Sequence, residues 1–304
     1  MIIPPYLVSG DTIALAAPAR KISRKEILPA EMWLKQAGFN VFYDERLFAE
    51  DHQFAGDDTM RTRYFQDLLD DDDISAIWCV RGGYGSARII DKLDFSHFLQ
   101  RPKWICGYSD ITVFHSHIQQ NLQIATLHAT MPVNVMMDDF QSPALQTFLG
   151  ALAGKNLSYE LDISPLSSPK SFSGILTGGN LSMLYSLVGS PSDICTDDKV
   201  LFIEDLDEYL YHIDRMILNL QRSGKLSSVK ALLVGHMSDM HDNTIPFGKT
   251  AEEIVADHCK GADFPLIFHV PAGHMPDNRA LRMGCLTEGY IQDNKFIINN
   301  LNHA

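Results

Sequence analysis

The sequence predicts an α/β protein with two domains, and three observations indicate this fold. Short apolar runs alternate with amphipathic stretches of helical period, which is the rhythm of a parallel sheet covered by helices. A segment rich in Ser and Pro, 156–172, interrupts this rhythm and predicts a linker. Alternating apolar residues near the end of the chain suit antiparallel strands that close a mixed sheet. We expect one domain over 1–155 and another over 173–304.

In the first domain, predicted strands and helices follow one another in turn. The strongest strand is the apolar run ISAIWCV, and a polar helix precedes it. Strands are predicted at 12–17, 39–43, 74–80, 103–106 and 123–127, and helices at 24–37, 57–71, 86–93 and 111–121.

The second domain is predicted to continue this alternation. KVLFIE and PLIFHV are apolar runs of strand length, and the stretch between them contains an amphipathic helix. Strands are predicted at 173–177, 199–204, 229–234 and 265–270, helices at 180–188, 210–222 and 250–258, and the closing antiparallel strands near 280–287 and 294–299.

The composition argues against several classes of protein. Charged residues make up 21% of the chain and apolar residues 45%, as in an ordinary globular enzyme. The formal net charge is -13 and no Lys/Arg-rich run is present, so we expect no nucleic-acid partner. No apolar segment approaches the roughly 20 residues of a membrane span, so we expect no membrane partner.

The N-terminus and the cysteines indicate a cytoplasmic location. The opening MIIPPYLVSGD lacks the basic region and the long apolar stretch of a signal peptide. The five cysteines form no CxxC pair and their number is odd, which argues against a disulfide framework or a structural zinc site. Cys79 and Cys106 lie in apolar runs and are expected as small buried hydrophobic residues.

A serine follows one of the predicted strands, at the sheet edge where sites form in open α/β proteins. Ser109 lies in the motif GYSDI, on a tight turn that would present its hydroxyl to the N-terminus of the next helix. The motif departs from GxSxG at Ile111. A serine in front of a helix is often only an N-cap, so this signal alone is weak.

A glycine-rich turn, RGGYGS, follows the strand ISAIWCV. Gly82, Gly83 and Gly85 would let the backbone approach a ligand closely. The turn could cradle a phosphate, it could supply the N–H of Gly83 or Tyr84 to an oxyanion hole, or it could be a tight turn without a ligand. Its spacing matches neither GxGxxG nor a P-loop.

Carboxylates and histidines follow the strands of the second domain. Glu204 ends one strand and could orient a histidine, with Asp205 as a close alternative. His274 follows a later strand and could act as a general base, with His236 as the main alternative. His269 lies inside an apolar run and is expected in the core.

Two weaker groups complete the candidates. The turn TGGN presents Asn180 in front of a helix, where it could meet a substrate carboxylate or serve as a cap. His236, Asp239 and His241 could hold a metal ion, but no HExxH or similar spacing supports this, so we expect no metal. The strongest signals share the strand ends of an α/β fold and the chain order Ser, Glu, His, which suggests acyl transfer through a serine nucleophile.

Five motifs in one order identify a family resemblance. The stretches VRGGYGSARIID, ICGYSDIT, LTGGNLSML and FIEDLDE, with Arg215 downstream, and the late AGH loop together resemble the LD-carboxypeptidases. This family contains muramoyl-tetrapeptide carboxypeptidases and microcin C immunity peptidases. The resemblance runs from IALAAPA to the AGH loop and implies a flavodoxin-like N-terminal domain, a swivelling β/α C-terminal domain, a homodimer, and neither metal nor cofactor.

The resemblance also implies a role for each motif in a site between the two domains. It places the nucleophile on Ser109, the carboxylate of a triad on Glu204 and the general base on His274. The oxyanion hole would use the backbone N–H groups of Gly83 and Asp110.

The implied substrate is a muropeptide from cell-wall recycling, a tetrapeptide cut between the L-centre of its diamino acid and a terminal D-alanine. Arg81, Tyr84 and Asn180 are expected to bind it, although Arg81 could equally form a structural ion pair.

Two alternatives remain open at this stage. A peptidase of the microcin-immunity type would cleave a peptide–nucleotide conjugate and would need aromatic side chains to stack on the base. Only Phe172 and Tyr185 lie near the linker and the TGGN turn. A non-catalytic ligand-binding module would use the RGGYGS turn, and its Ser109, Glu204 and His274 would not need to converge.

Overall fold

Two mixed β-sheets organise the chain, and the computed structural model describes all residues from 1 to 304. The strands are β1 (Thr12–Ala16), β2 (Asn40–Phe42), β3 (Ile74–Cys79), β4 (Trp104–Gly107), β5 (Thr126–His128), β6 (Leu157–Asp162), β7 (Phe172–Asn180), β8 (Lys199–Leu206), β9 (Ala231–Ser238), β10 (Leu266–Ile267), β11 (Leu281–Met283), β12 (Leu286–Gln292) and β13 (Lys295–Asn300).

Eight α-helices connect these strands. They are α1 (Arg24–Gln36), α2 (Asp58–Asp70), α3 (Ser96–Gln100), α4 (Thr112–Leu122), α5 (Pro143–Leu152), α6 (Leu181–Leu187), α7 (Leu210–Arg222) and α8 (Ala251–His258). Local sequence explains where several of them begin. A capping box of Ser23 and Glu26 starts α1, and a second one, of Thr250 and Glu253, starts α8. None of the helices is both long and apolar enough to cross a membrane.

The first sheet has the strand order β11-β5-β4-β3-β1-β2. The pairs from β2 to β5 are parallel, and their order, 2-1-3-4-5, is that of a flavodoxin-like sheet. The predicted mixed α/β fold with a parallel N-terminal sheet is therefore confirmed. Strand β11 was expected to help close the second sheet, but it pairs antiparallel with β5 at the edge of the first.

The second sheet has the order β10-β9-β8-β7-β12-β13-β6, with parallel pairs from β10 to β7 and antiparallel pairs beyond. Strand β6 falls within 156–172, which the sequence analysis treated as a linker. Its side chains alternate between buried and exposed, as in a half-buried strand, so hydrophobic burial as well as pairing with β13 holds it in the sheet.

The segment predicted as a helix over 86–93 forms two short 3-10 helices instead, Ser86–Arg88 and Ile90–Lys92. Ile89 and Ile90, where the two short turns meet, are both buried.

Side-chain alternation along β8 sorts the core into two parts. Val200 and Phe202 pack in the larger cluster of buried side chains, which also contains the first sheet. Leu201 and Ile203 point the other way, into a smaller cluster beneath α6, α7 and α8. Because successive side chains of a strand point to opposite faces, Glu204 falls on the side of the first sheet and Asp205 on the side of α6.

All five cysteines are free. Cys79 and Cys106 are fully buried among apolar side chains, as expected, and burial raises the pKa of both thiols.

Candidate active site

Ser109 lies on the turn between β4 and α4. Its φ is 63°, in the left-handed region that residues other than glycine rarely adopt. A 3-10 turn, Ser109–Ile111, leads directly into α4. The first N–H groups of a helix lack helical acceptors, so this end of α4 favours negative charge that develops near the serine. A strained serine at a strand-to-helix turn is the arrangement of a nucleophile elbow.

The glycine-rich turn after β3 lies against this elbow. A Cβ added to Gly82 would lie 2.9 Å from the Cβ of Ser109, 3.1 Å from its Oγ and 3.4 Å from the backbone nitrogen of Asp110. Gly83 has a φ of 106°, which only glycine adopts readily. The loops that carry the two expected oxyanion donors, the N–H groups of Gly83 and Asp110, are therefore in contact beside Ser109.

A buried ionic network supports the glycine-rich turn from behind. The guanidinium of Arg61 is almost completely buried, forms an ion pair with Asp58 and donates to the carbonyl oxygens of Pro18 and Gly85, the latter at 3.0 Å. Because the carbonyls belong to the loops after β1 and β3, one side chain ties together two neighbouring strand ends.

Glu204 and His274 form a pair at the carboxyl ends of the second sheet. Oε2 of Glu204 accepts hydrogen bonds from Nδ1 of His274 at 2.7 Å and from its backbone N–H at 3.2 Å. An imidazole that donates through Nδ1 keeps Nε2 free as a proton acceptor. A Cβ at Gly273 would lie 2.9 Å from both Cβ and Oε2 of Glu204, so only glycine allows the loop to approach this closely.

The environment of His274 makes its imidazole more basic. Its burial lowers the pKa, but the negative charge of Glu204 and the hydrogen bond to it outweigh this effect. The net result is a pKa above the ordinary value of 6.5.

Tyr108 brings the two sheets together at the site. Its ring centroid lies 4.7 Å from that of His274, and it directly precedes Ser109 in the chain. The histidine from the second sheet therefore lies beside the elbow of the first. The ring of His274 hydrogen-bonds to Glu204, and no hydrogen bond joins it to Ser109.

Asp205, the alternative to Glu204, has a different set of contacts. Its carboxylate accepts hydrogen bonds from the side chain of Asn180 and the backbone N–H groups of Ser182 and Leu206, at 2.8–2.9 Å. Burial and the charge of Glu204 raise the pKa of Asp205 to about 7. Asp205 thus holds the start of α6, whereas Glu204 holds His274.

Neither His269 nor His236 hydrogen-bonds to Glu204 in place of His274. His269 was expected in the core, but its side chain is 48% exposed and lies 3.3 Å from Glu252. The reason is that β10 ends at Ile267, so the apolar run leaves the strand before it reaches the histidine. His236 makes a backbone hydrogen bond to Ala272, and no group of three His, Cys, Asp or Glu side chains is arranged to hold a metal ion.

The three residues expected to contact the substrate differ in their exposure and in the partners that their side chains already have. Tyr84 is 47% exposed at the glycine-rich turn. Arg81 forms an ion pair with Glu26 at 3.1 Å, which is the structural alternative considered for it. Asn180 is buried, and both polar atoms of its side chain have partners: it caps α6 through Met183 and donates to Asp205. Its amide has the role of a helix cap in this structure.

Two residues that line the site were absent from the sequence-based candidates. Tyr108 could have been found from its place in GYSDI, next to the serine. Asn278, whose Oδ1 accepts a hydrogen bond from the backbone N–H of Gly273 at 2.9 Å, lies in a loop without any recognisable motif.

Family models match both parts of the chain. Residues 13–129 match the LD-carboxypeptidase N-terminal domain, and residues 173–288 match the LD-carboxypeptidase C-terminal domain.

Similar curated proteins include the "Probable murein peptide carboxypeptidase" of Bacillus subtilis (strain 168). It is 33% identical over 288 residues, which cover 92% of this chain and 89% of that protein. The "Murein tetrapeptide carboxypeptidase" of Pseudomonas aeruginosa is 26% identical over 285 residues, covering 90% of this chain and 91% of that one.

Solved structures share the fold. The muramoyltetrapeptide carboxypeptidase from Oxalobacter formigenes superimposes with a TM-score of 0.87 at 26% identity, covering 96% of this chain and 99% of that one. The microcin C7 self immunity protein in complex with aspartyl sulfamoyl adenosine has a TM-score of 0.86 at 18% identity, covers both chains fully, and supports the fold alone. On the matches of both domains and the full-length similarity to the Bacillus protein, this chain belongs to the LD-carboxypeptidase family.

Proposed function

We propose that this protein is a serine-type LD-carboxypeptidase that releases the terminal D-alanine from peptidoglycan-derived tetrapeptides. The observation that carries the proposal is the Glu204–His274 pair, held at 2.7 Å and placed beside the strained elbow of Ser109 by the ring of Tyr108. These groups are the three parts that a serine acyl-transfer site requires: a nucleophile, a base and a carboxylate that orients the base.

The proposed reaction runs through an acyl-enzyme. Nε2 of His274 takes the proton of the Ser109 hydroxyl as Oγ attacks the carbonyl carbon of the scissile amide. The same imidazole then gives that proton to the nitrogen of D-alanine, which leaves. A water molecule, deprotonated by His274, attacks the ester and releases the tripeptide, and the proton returns to Ser109. Glu204 holds the tautomer and stabilises the imidazolium.

The negative charge that develops on the carbonyl oxygen is assigned to two backbone donors. We propose the N–H groups of Gly83 and Asp110, because the glycine-rich turn and the elbow touch beside Ser109. Donors on a rigid backbone need no reorganisation during the reaction, and removing one such donor costs about 10²–10³-fold in kcat in comparable sites.

The names of the curated relatives favour a murein peptide as the substrate. Both the Bacillus and the Pseudomonas proteins are described as murein carboxypeptidases, and both align over about nine-tenths of this chain. Cleavage of a microcin-type peptide–nucleotide is the second candidate, but its support is a likeness of fold at 18% identity. We place the enzyme in cytoplasmic cell-wall recycling, which agrees with its free cysteines.

Direct measurement of D-alanine release tests the proposal. The substrate is L-alanyl-γ-D-glutamyl-meso-diaminopimelyl-D-alanine, assayed with wild type, Ser109→Ala and, as a matched control, Ser116→Ala on α4. We expect release by wild type and by the control, and a loss of at least about 10³-fold in Ser109→Ala. No release by folded wild type would overturn the proposal, and cleavage of a peptidyl-sulfamoyl adenosine instead would favour the second candidate.

We further propose that Arg81 and Tyr84 contact the substrate from the glycine-rich turn. The Arg81→Ala variant should raise KM at least about tenfold with little change in kcat, because the contact is present before and during the chemical step. Its ion pair with Glu26 is partly exposed, so its loss should cost less than about 1 kcal/mol of stability. If KM is unchanged while the ion pair is lost, Arg81 has only a structural role.

A further inference from the structure

The proposed nucleophile and base come from different sheets, so their alignment depends on contacts between those sheets. Ser109 follows β4 of the first sheet, whereas His274 lies in the loop between β10 of the second sheet and β11 of the first. Glu204 holds the histidine ring, but Glu204 itself belongs to the second sheet. The loop joins the first sheet only at Leu281, seven residues after His274, so a contact nearer the histidine would hold it more firmly against the sheet that carries Ser109.

Asn278 is one end of such a contact. Its side chain is 2% exposed and lies in the His274 loop. Oδ1 accepts a hydrogen bond from the backbone N–H of Gly273 at 2.9 Å, next to the histidine. Its Nδ2, also buried, has no partner. The oxygen of this amide thus holds the loop, whereas its Nδ2 is a hydrogen-bond donor without an acceptor.

His128 is the other end. It is the last residue of β5 in the first sheet and is 0% exposed, and neither of its ring nitrogens has a hydrogen-bond partner. Leu281 of β11 is its cross-strand partner, three residues after Asn278. Its ring lies 5.9 Å from that of Tyr108, which in turn packs on His274.

The charge state of His128 suits it to accept a hydrogen bond. Burial lowers its pKa well below the ordinary value, and the neighbouring His115 and His274 lower it further. The amide of Asn278 lies close enough to interact with the ring. The ring is therefore neutral, and a neutral imidazole has one nitrogen that can only accept.

The two side chains are complementary, and buried polar groups of folded proteins nearly always find partners. We propose that Asn278 Nδ2 donates to a ring nitrogen of His128 and that this pair positions the His274 loop against the sheet that carries Ser109. Asn278 and His128 are then positioning residues that act through His274. The inference rests on the proposed function because it takes His274 as the general base.

Kinetics of two single variants and their double variant test the pair. Asn278→Ala and His128→Phe should each lower kcat at least tenfold with KM within about twofold, because they misplace the base and leave the substrate contacts intact. The double variant should be no slower than the slower single variant, since both remove one interaction. Losses that multiply, an unchanged kcat in either single variant, or a rise in KM alone would overturn the proposal.

Two further variants are controls that distinguish loss of the hydrogen bond from a general loss of folding. His128→Gln keeps a polar acceptor in place of the ring and should recover most of the kcat that His128→Phe loses. His117→Phe removes a half-buried histidine of α4 that hydrogen-bonds to Ser192, and it should leave kcat unchanged. If His128→Gln is as slow as His128→Phe, the hydrogen bond is not what matters.

An NMR measurement separates this inference from the proposed function. In protein labelled with ¹⁵N-histidine, the accepting nitrogen of His128 should shift when Asn278 is changed to Ala, whether or not the enzyme turns over substrate. A His128 signal that does not respond overturns the pair. A responsive signal in a wild-type protein that releases no D-alanine would keep the pair and reject the proposed function.

Discussion

The carboxylate of Asp110 accepts a hydrogen bond from the backbone N–H of Ser86 at 2.9 Å. This contact joins the residue after the proposed nucleophile to the end of the glycine-rich turn. The other carboxylate oxygen of Asp110 has no hydrogen-bond partner. Burial raises the pKa of Asp110, while the Ser86 hydrogen bond and the charge of Arg61 oppose the rise. One side chain thereby sets the distance between the two loops that carry the proposed oxyanion donors.

Removing this acceptor should impair the chemical step. We expect Asp110→Ala to lower kcat by about 10–100-fold with little change in KM, because the two N–H donors lose their fixed separation. Asp110→Asn retains an oxygen that can accept from Ser86 and should keep most of the activity. Steady-state kinetics decide the matter, and equal losses in the two variants would show that the charge of Asp110 matters, not the acceptor.

Space beside the nucleophile gives a second prediction. An alanine at position 82 would place its Cβ 2.9 Å from the Cβ of Ser109, so either the elbow or the turn must move. We expect Gly82→Ala to lower kcat at least about tenfold. Gly150→Ala is the matched control, since a Cβ there meets nothing closer than 3.7 Å and alanine favours a helix. If Gly82→Ala retains full activity, the turn does not approach Ser109 as described.

The pH dependence of His274 should reveal its partner. A general base must be neutral, and Glu204 raises the pKa of His274, so wild-type activity should rise with pH through a midpoint above 6.5. Glu204→Gln removes the negative charge, so the pKa of His274 should fall and the midpoint should move to lower pH, together with a large loss of kcat. NMR titration of the imidazole checks the shift. Glu208→Gln, whose carboxylate pairs with His212, is the control that should leave the His274 titration in place.

Asp205 should matter for pH-dependent stability. Its pKa is about 7 in the folded protein, against an ordinary value of 3.8. The folded state therefore retains a proton that the unfolded chain has lost, so this group's contribution to the free energy of unfolding decreases as pH rises from about 4 to about 7. Asp205→Asn should remove that dependence. Urea unfolding at pH 5 and pH 8 measures it, and an identical pH dependence in wild type and variant would contradict the assignment.

Much of the fold follows from local pattern. Buried strands such as ISAIWCV and KVLFIE are continuous apolar runs because both faces of a covered parallel sheet are apolar. The same pattern placed Ser109 just after the apolar run KWIC and Glu204 at the end of KVLFIE. Alternation along β8 also puts Glu204 and Asp205 on opposite faces of the strand. It identifies Glu204 as the residue facing the first sheet only once it is known that this sheet covers the even-numbered side chains.

Other features depend on long-range contacts that no local pattern encodes. Strand β6 has the two-residue alternation of a strand, but the Ser and Pro residues after it indicated a linker. The roles of His128 and Asn278 arise because β11 returns to pair with β5. The exposed position of His269 depends on where β10 ends, two residues before the histidine and three before the end of the apolar run.

The return of β11 to the first sheet has a consequence for synthesis and turnover. Its partner β5 lies about 150 residues earlier in the chain, so the sheet that carries Ser109 is completed only after Leu281–Met283 have been made. Contacts of such long sequence separation form slowly, and until then β5 is an open edge that can pair with other chains. Clipping the chain between Asn278 and Leu281 would open the same edge, so the enzyme should lose its active geometry while every proposed catalytic residue is still present.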